Sequence, residues 1–354
     1  MPATPAVRLG DLSVGFLYSL ADALRHHGHD PQPLLEQYGF DSARLAEPRA
    51  RLSIPRYMHL GNAAINLSGD PGLGLLMASF GRLEQLGLAG VCAAQAPTVR
   101  EAARSLTRFE PLYASNYRGR SSLIEDSRGA WLRFHSIGPY NRYNRFVVDS
   151  VLGGWLRQLG DLAGQRLAAE RVQIEYDTPA YAERHASLFG CSVEFAAAAN
   201  QLRLSQQALS LRNPQHCAGT WQELLQLCEQ QLQNLTRTRT LRERVSQLLG
   251  PRLHGREPQM ADIARELRMP AWTLRRRLAE EGSSFAGILN DTRRDLACSY
   301  VRDTELAFGE IAYLLGFASA EAFQRAFRRW MQQPPGELRR QHRLHDTSLS
   351  ESLK

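Results

Sequence analysis

Helical and alternating periods of apolar residues succeed one another along the first two-thirds of the chain. Leu12, Phe16, Leu20, Ala23 and Leu24 fall at helical spacing within residues 12–27, and Gly28 and Pro31 close that predicted helix. A short helix in PQPLLEQYGF and a longer one in IPRYMHLGNAAINLSG follow, and GDPGLGLLMASFG reads as a loop with Asp70-Pro71-Gly72 as its turn. Thr98 and Glu101 form a capping-box signature at the head of a helix over residues 97–112. The period then shortens. Residues 113–137 are rich in Tyr, Ile, Trp and Phe around a Ser-Arg-Gly turn, which predicts a hairpin. A helix over about 144–164, a strand in RVQIEYDTP, a helix in AYAERHASLFG closed by Gly190, and short strands in VEF and QLRLS follow. This mixture is α+β rather than a repeating βαβ array.

A Gln-rich amphipathic helix, WQELLQLCEQQLQNL, lies within residues 213–240 and is the predicted connection. It either packs on its own domain or pairs with a second copy as a coiled coil. From residue 241 onward strand signals vanish. LRERVSQLLGPRL places Leu241, Val245, Leu248 and Leu249 on one helical face, and Gly250-Pro251 ends it. MADIARELRM and AWTLRRRLAEEG each carry an apolar i, i+4 pair and are joined by a tight turn, the pattern of a helix-turn-helix.

The stretch IAYLLGFASAEAFQRAFRRW repeats that pattern about 49 residues later. Gly316 suits the positive φ of a sharp helix exit, and Ser319 is the expected N-cap of the next helix. Along that second helix Phe323, Phe327 and Trp330 share one face, while Glu321, Gln324, Arg325, Arg328 and Arg329 share the other. Such a polar face is either merely solvated or suited to a major groove, where Arg reads guanine and Gln reads adenine. The arginines near its end would meet phosphates.

Charge favours the groove. Residues 1–236 hold 22 Arg against 21 acidic residues, whereas residues 237–354 hold 20 Arg and one Lys against 15. Nearly all of the net +7 charge therefore lies in the last third, which points to a polyanionic partner for that part.

Lys354 is the sole lysine, which excludes a P-loop and an internal Schiff-base lysine. The sequence holds no G-x-S-x-G, H-E-x-x-H or G-x-G-x-x-G, so no catalytic residue is expected. The five cysteines are odd in number and lack a C-x-x-C, which fits a reducing compartment without a disulfide framework or zinc site. No apolar run nears the ~18 residues that span a bilayer, and residues 1–30 lack a signal-peptide pattern, so a cytoplasmic location is expected.

Residues 260–343 resemble the DNA-binding region of the AraC/XylS family of bacterial transcription regulators. The likeness rests on IARELRMPAWTLRRRLAEEGSSF, on Arg293 and Ala297 in an R-x-x-x-A, and on IAYLLGFASAEAFQRAFRRW followed by PPGELR. The resemblance implies two recognition helices, about 271–281 and 320–330, in successive major grooves. A connecting helix of about 284–302 would hold them ~34 Å apart. By position it assigns Trp272, Arg275 and Arg276 to DNA in the first unit, and Glu321, Gln324 and Arg325 in the second; the cap Ser319 and the face residues Arg328 and Arg329 complete the expected DNA-binding set. Three positions depart from the pattern. Pro270 replaces a capping serine, Trp272 stands where arginine is frequent, and Gln332 replaces a frequent glycine. Trp272 either contacts a thymine methyl or sugar, or packs on its own domain.

Over residues 12–215 the stretches GDPGLGL, TVREAARSLTRFEPL and YDTPAYAERHASLFGCSVEF resemble the AraC-type ligand-binding domain of the ornithine-utilisation regulator group. That likeness implies a domain that binds a small effector or mediates dimerisation. Arg142 and Arg145, at i, i+3 among aromatics, either clamp a carboxylate effector or form surface ion pairs. His26 and His29 read as a helix end rather than a metal pair, and Cys191 is either redox-sensing or a small buried thiol.

The expected fold class is an α+β N-terminal domain followed by an all-α double helix-turn-helix DNA-binding domain. The expected boundaries are 1–212 for the effector-binding and dimerisation domain, 213–240 for the helical connection, 241–345 for the DNA-binding domain and 346–354 for a flexible tail. Expected partners are double-stranded promoter DNA, a small-molecule effector, a second copy in a homodimer and RNA polymerase, with no membrane, metal or cofactor. The alternative is an enzyme with its active site in residues 1–236 and a non-specific basic tail.

Overall fold

The computed structural model describes residues 10–47, 50–237, 240–253, 255, 257–304 and 306–341. Its N-terminal part is mixed α/β and its C-terminal part is all helical, the expected fold class. By contact the described chain divides into a unit of Gly10–Asn116 and Arg120–Leu235, and a second unit drawn from Tyr117–Gly119 and the residues from Thr236 onward.

Strand β1 (Gly10–Ser13) is the centre of a small antiparallel sheet, flanked by β2 (Arg51–Ser53) and β3 (Ala114–Asn116). Leu12, expected on the first helix, pairs here with Leu52 and Ala114. The helical reading fails at this end because four residues are too few to separate a period of 2 from one of 3.6. Pairing with distant strands decides the outcome, so helix α1 (Phe16–His26) begins only at Phe16.

Helices α2 (Gln32–Gln37), α3 (Ser42–Ala46) and α4 (Ile54–Ser68) follow. The stretch after Asp70-Pro71-Gly72 is not the loop the sequence suggests but a short helix, α5 (Leu73–Ala78). Its Leu73, Leu75 and Met77 are buried, and burial of apolar side chains overrides a glycine-rich local preference. Gly74 permits the approach, since a Cβ there would lie 2.5 Å from the carbonyl oxygen of Phe146.

After α6 (Leu88–Ala94), helix α7 (Val99–Arg108) starts at Thr98, whose hydroxyl accepts from the Glu101 amide at 3.3 Å. Only half of the expected capping box forms, because the Glu101 carboxylate pairs with Arg104 at 2.5 Å. Helix α8 (Glu110–Tyr113) leads into β3, which joins the small sheet rather than the hairpin expected over 113–137. The hairpin itself is β4 (Ser122–Asp126) and β5 (Gly129–Phe134). Its turn is held by Asp126, which accepts from the amides of Arg128 and Gly129.

Helix α9 (Arg145–Leu162) is the central element of this unit, buried along most of its length. Beyond it come β6 (Arg171–Gln173), α10 (Ala182–Phe189), β7 (Val193–Glu194), β8 (Asn200–Ser205) and α11 (Gln206–Leu209). The larger sheet has the order β4-β5-β8-β6-β7, with β6 and β7 parallel and the other pairs antiparallel. Its Ala130, Leu132, Val172, Leu202 and Leu204 join Leu152, Leu156 and Leu159 of α9 in one core. The Gln-rich segment is helix α12 (Ala218–Arg237), and Trp221, Leu224, Leu225, Cys228 and Leu232 pack against that same core.

The C-terminal unit contains α13 (Leu241–Leu249), α14 (Met260–Glu266), α15 (Ala271–Glu280), α16 (Phe285–Asp303), α17 (Phe308–Leu314) and α18 (Ala320–Met331). Each bound of α15, α16 and α18 falls within one residue of the range expected from sequence. A full capping box starts α13: Thr240 and Glu243 exchange amide-to-side-chain bonds of 3.0 and 3.2 Å.

Candidate nucleic-acid interface

In the first helix-turn-helix, Ile263 and Ala264 of α14 and Leu274 and Leu278 of α15 are buried together. The turn is tight. Arg268 adopts φ 54°, and the Met269 amide reaches back to the Ala264 carbonyl at 3.0 Å. Burying the leucines fixes which side of α15 faces outward, since each is worth about 1.5–3 kcal/mol. Trp272, Arg275 and Arg276 all lie on the outward side, Trp272 with 64% exposure. Trp272 does not fold back onto its domain. The Arg276 guanidinium sits 5.5 Å above its ring and lies 3.5 Å from Glu280, so the two candidate contacts form one assembled patch. Pro270 supplies no capping bond at the start of α15.

In the second unit the Gly316 φ is 67°, and the Ser319 hydroxyl accepts from the Ala322 amide at 3.2 Å, capping α18. Phe323 and Phe327 are fully buried with ring centroids 5.7 Å apart. Trp330 packs 6.0 Å from Phe317 and donates its indole N–H to Asn290 at 3.1 Å. With that face locked, Ser319, Glu321, Gln324, Arg325, Arg328 and Arg329 are all exposed. The Ser319 hydroxyl and the backbone amide of Glu321 hold the Glu321 carboxyl below the usual carboxylate range. Gln332 itself takes the left-handed conformation, φ 57°, in which the glycine would have been expected.

Arg293 of the R-x-x-x-A joins α16 to the second unit. Its Nε and one Nη donate to the carbonyls of Leu315 and Gly316 at 2.9 and 3.0 Å, and its plane lies 5.1 Å from the Phe317 ring. A guanidinium on the C-cap carbonyl of α17 and on the carbonyl just beyond it lies at the negative end of that helix. Arg339 of the PPGELR segment does likewise for the Val301 and Leu306 carbonyls and stacks on Phe308.

The N-terminal unit holds an apolar cavity of about 70 Å³, between the small sheet and α9. Neither Arg142 nor Arg145 lines it. Arg142 is exposed and bonds the Tyr143 hydroxyl at 2.9 Å, while Arg145 stacks 5.7 Å from the Tyr176 ring. Behind Tyr176 lies a buried polar network. Asp149 accepts from the Tyr176 hydroxyl, from Tyr181 at 3.0 Å and from His185 Nε2 at 2.9 Å. Burial first, and the Asp149 charge second, push the Tyr176 phenol pKa well above its ordinary value. A second cluster joins Asp70 to Arg184, to His27 at 3.2 Å and to the Gly72 amide at 2.8 Å. His26 ends α1 with its ring 5.8 Å from Phe80, and His29 lies beyond the helix. Burial pushes the Cys191 thiol up.

A family model described as the arabinose-binding N-terminal domain of AraC transcription regulators matches residues 28–213, and a helix-turn-helix domain model matches residues 263–341. The ornithine utilization regulator of Pseudomonas aeruginosa is 30% identical, over 92% of this chain and 95% of that protein. The chain belongs to the AraC family of transcription regulators. VirS of Mycobacterium tuberculosis, another regulator of the helix-turn-helix type, is 24% identical over 91% of this chain and 94% of its own length. The crystal structure of the Pseudomonas aeruginosa regulator CdpR aligns over 90% of this chain and 97% of its own, at 22% identity and a TM-score of 0.40.

In this AraC-family chain the polar residues that sequence reasoning overlooked lie in the N-terminal unit. Asp149 had a signal, as a lone carboxylate within the apolar run FVVDSVLGGW. Glu110, Tyr57 and Ser150 of the cavity had none, since each sits at an ordinary helical position and only the fold brings them together. Among the described residues no helix is long and apolar enough to cross a membrane.

Proposed function

We propose that this AraC-family protein binds promoter DNA with α15 and α18 in successive major grooves, and that a small molecule in the N-terminal unit biases that binding. The observation that carries the reading is the sorting of α18. Aromatic residues lock one face into the domain, while Gln324, Arg325, Arg328 and Arg329 stand exposed on the other. Gln324 and Arg325 would read base edges and Arg328 and Arg329 would meet phosphates. On α15 the stacked Trp272 and Arg276 present one apolar plane and one forked donor, with Arg275 beside them.

Residues 1–212 would hold the effector and the dimer contact, 213–240 the connection and 241–345 the DNA-binding domain. The effector would shift affinity through a coupling of ~1–3 kcal/mol. A homodimer in the cytoplasm, in contact with RNA polymerase at the promoter, completes the reading. The name of one relative mentions ornithine utilization, and the matched N-terminal family is described as arabinose-binding, so small polar molecules are the first effectors to test.

Retention of fragmented genomic DNA by the purified protein at near-physiological salt, followed by sequencing, tests the interface. The wild type is expected to keep a few sites with two half-boxes about one helical turn apart. Arg276→Ala and Arg325→Ala are each expected to cost ~1–3 kcal/mol at those sites and to relax selection at one position. Uniform retention by all three proteins would refute the reading.

A further inference from the structure

The cavity of the N-terminal unit differs in chemistry from what the names of the relatives suggest. Most of its wall is apolar, Phe16, Met58, Leu86, Phe134, Val151 and Trp155 among it, and Asn116, Ser136 and Gln158 add polar side chains. Among the described residues no arginine, lysine, histidine or aspartate lines it. The one carboxylate in the wall, Glu110, is already engaged. Its two oxygens accept from the Ser121 amide at 2.7 Å and the Ser121 hydroxyl at 2.5 Å, and burial raises its pKa. The Tyr113 hydroxyl is likewise committed, donating to the Leu106 carbonyl at 2.9 Å.

Two hydroxyls, those of Tyr57 and Ser150, lie together in the wall. The Tyr57 side chain is 1% exposed and lines the cavity; its hydroxyl makes no close hydrogen bond, and the hydroxyl it faces is that of Ser150. Ser150, also in the wall, uses its hydroxyl proton on the Val147 carbonyl at 3.1 Å and keeps its oxygen lone pairs free to accept. Buried hydroxyls are almost always closely partnered, so a loosely held hydroxyl pair beside an apolar space marks the point where a ligand's polar atom would sit. A second feature shows room for the ligand. Gly154 lines the cavity from α9, and a Cβ there would meet nothing within 4 Å.

We infer that this cavity binds a small uncharged molecule with an apolar body and a single hydroxyl or carbonyl group, paired with Tyr57 and Ser150. Short-chain alkanols and ketones fit, with phenol at the upper limit of size. The volume is about half of the roughly 150 Å³ that accommodates benzene in an engineered protein cavity. An amino acid would bring a carboxylate into a wall that holds no cation, and a sugar would bring a hydroxyl on nearly every carbon against a wall that is mostly apolar. The inference deepens the effector reading of the N-terminal unit and rests on it only for its consequence at DNA.

The test is saturation-transfer NMR on the full-length protein with n-butanol, butanone, phenol, L-arabinose and L-ornithine. n-Butanol, butanone and phenol are expected to bind and to compete with one another, and L-arabinose and L-ornithine to show no transfer. Gly154→Leu fills the cavity and should abolish n-butanol binding, with its thermal midpoint kept because a glycine leaves a helix interior. Tyr57→Phe should weaken it about 2- to 10-fold, the loss of one neutral hydrogen bond.

No transfer to n-butanol, butanone or phenol, or transfer that Gly154→Leu leaves unchanged, overturns the inference. Binding of arabinose or ornithine that Gly154→Leu abolishes also overturns it, since the cavity would then take a polar ligand. DNA affinity measured alongside separates the two levels. Binding of n-butanol, butanone or phenol at the cavity that leaves DNA affinity unchanged would keep this inference and sink the effector reading. A DNA response to a polar molecule that is indifferent to Gly154→Leu would place the effector site elsewhere.

Discussion

Asp70 illustrates how much one side chain can hold. It accepts from the amide of Gly72 in its own turn, from His27 at the end of α1 and from Arg184 on α10. Burial works against its ionisation. The Arg184 bonds and charge, with those from Gly72 and His27, outweigh that and hold the carboxyl below the usual range. A folded pKa below the unfolded value of about 3.9 adds stability that is present above that value and is lost as pH falls through the folded pKa. Asp70→Asn is therefore expected to cost about 2 kcal/mol at about pH 6, less than a fully buried pair because Arg184 is 43% exposed, and little at about pH 2. Urea unfolding of both proteins at the two pH values checks this. The turn role of Asp70 was legible in its Asp-Pro-Gly context, whereas the bond to Arg184 spans 114 positions and leaves no local trace.

At the scale of elements, caps and aromatic stripes were the most legible features. Ser319 caps α18 as its position suggests, so Ser319→Ala should lower stability by about 1 kcal/mol. Pro270→Ser is a contrasting case. A serine at φ −61°, ψ 147° would supply the missing cap for α15, worth about 1 kcal/mol, but would free the unfolded chain by about 0.4–1 kcal/mol. The two nearly cancel, and thermal unfolding should show a change within about 0.5 kcal/mol. Less legible were β1 and α5. Each is only a few residues long, and each takes its form from a partner: β2 and β3 in one case, α9 in the other.

For the whole molecule, the net charge near +6 on residues 237–354 makes the DNA affinity an ionic one. Log affinity should fall by about 0.9 per neutralised phosphate for each unit of log salt, and Arg328→Ala should reduce that slope by about 0.9 while weakening all sequences alike. Fluorescence anisotropy across a salt series, on a selected site and on random DNA, would show it; an unchanged slope would remove Arg328 from the phosphate contacts. The sequence by itself determined the double helix-turn-helix, its charge and its outward-facing residues, because helical period, caps and arginine faces are local properties of a few consecutive turns. Only the tertiary structure decided the N-terminal cavity and its two polar clusters. Tyr57, Glu110 and Ser150 become one wall, and Asp149, Tyr176 and His185 one network, through packing of segments far apart in the chain. Long-range packing of that kind has no period along the sequence.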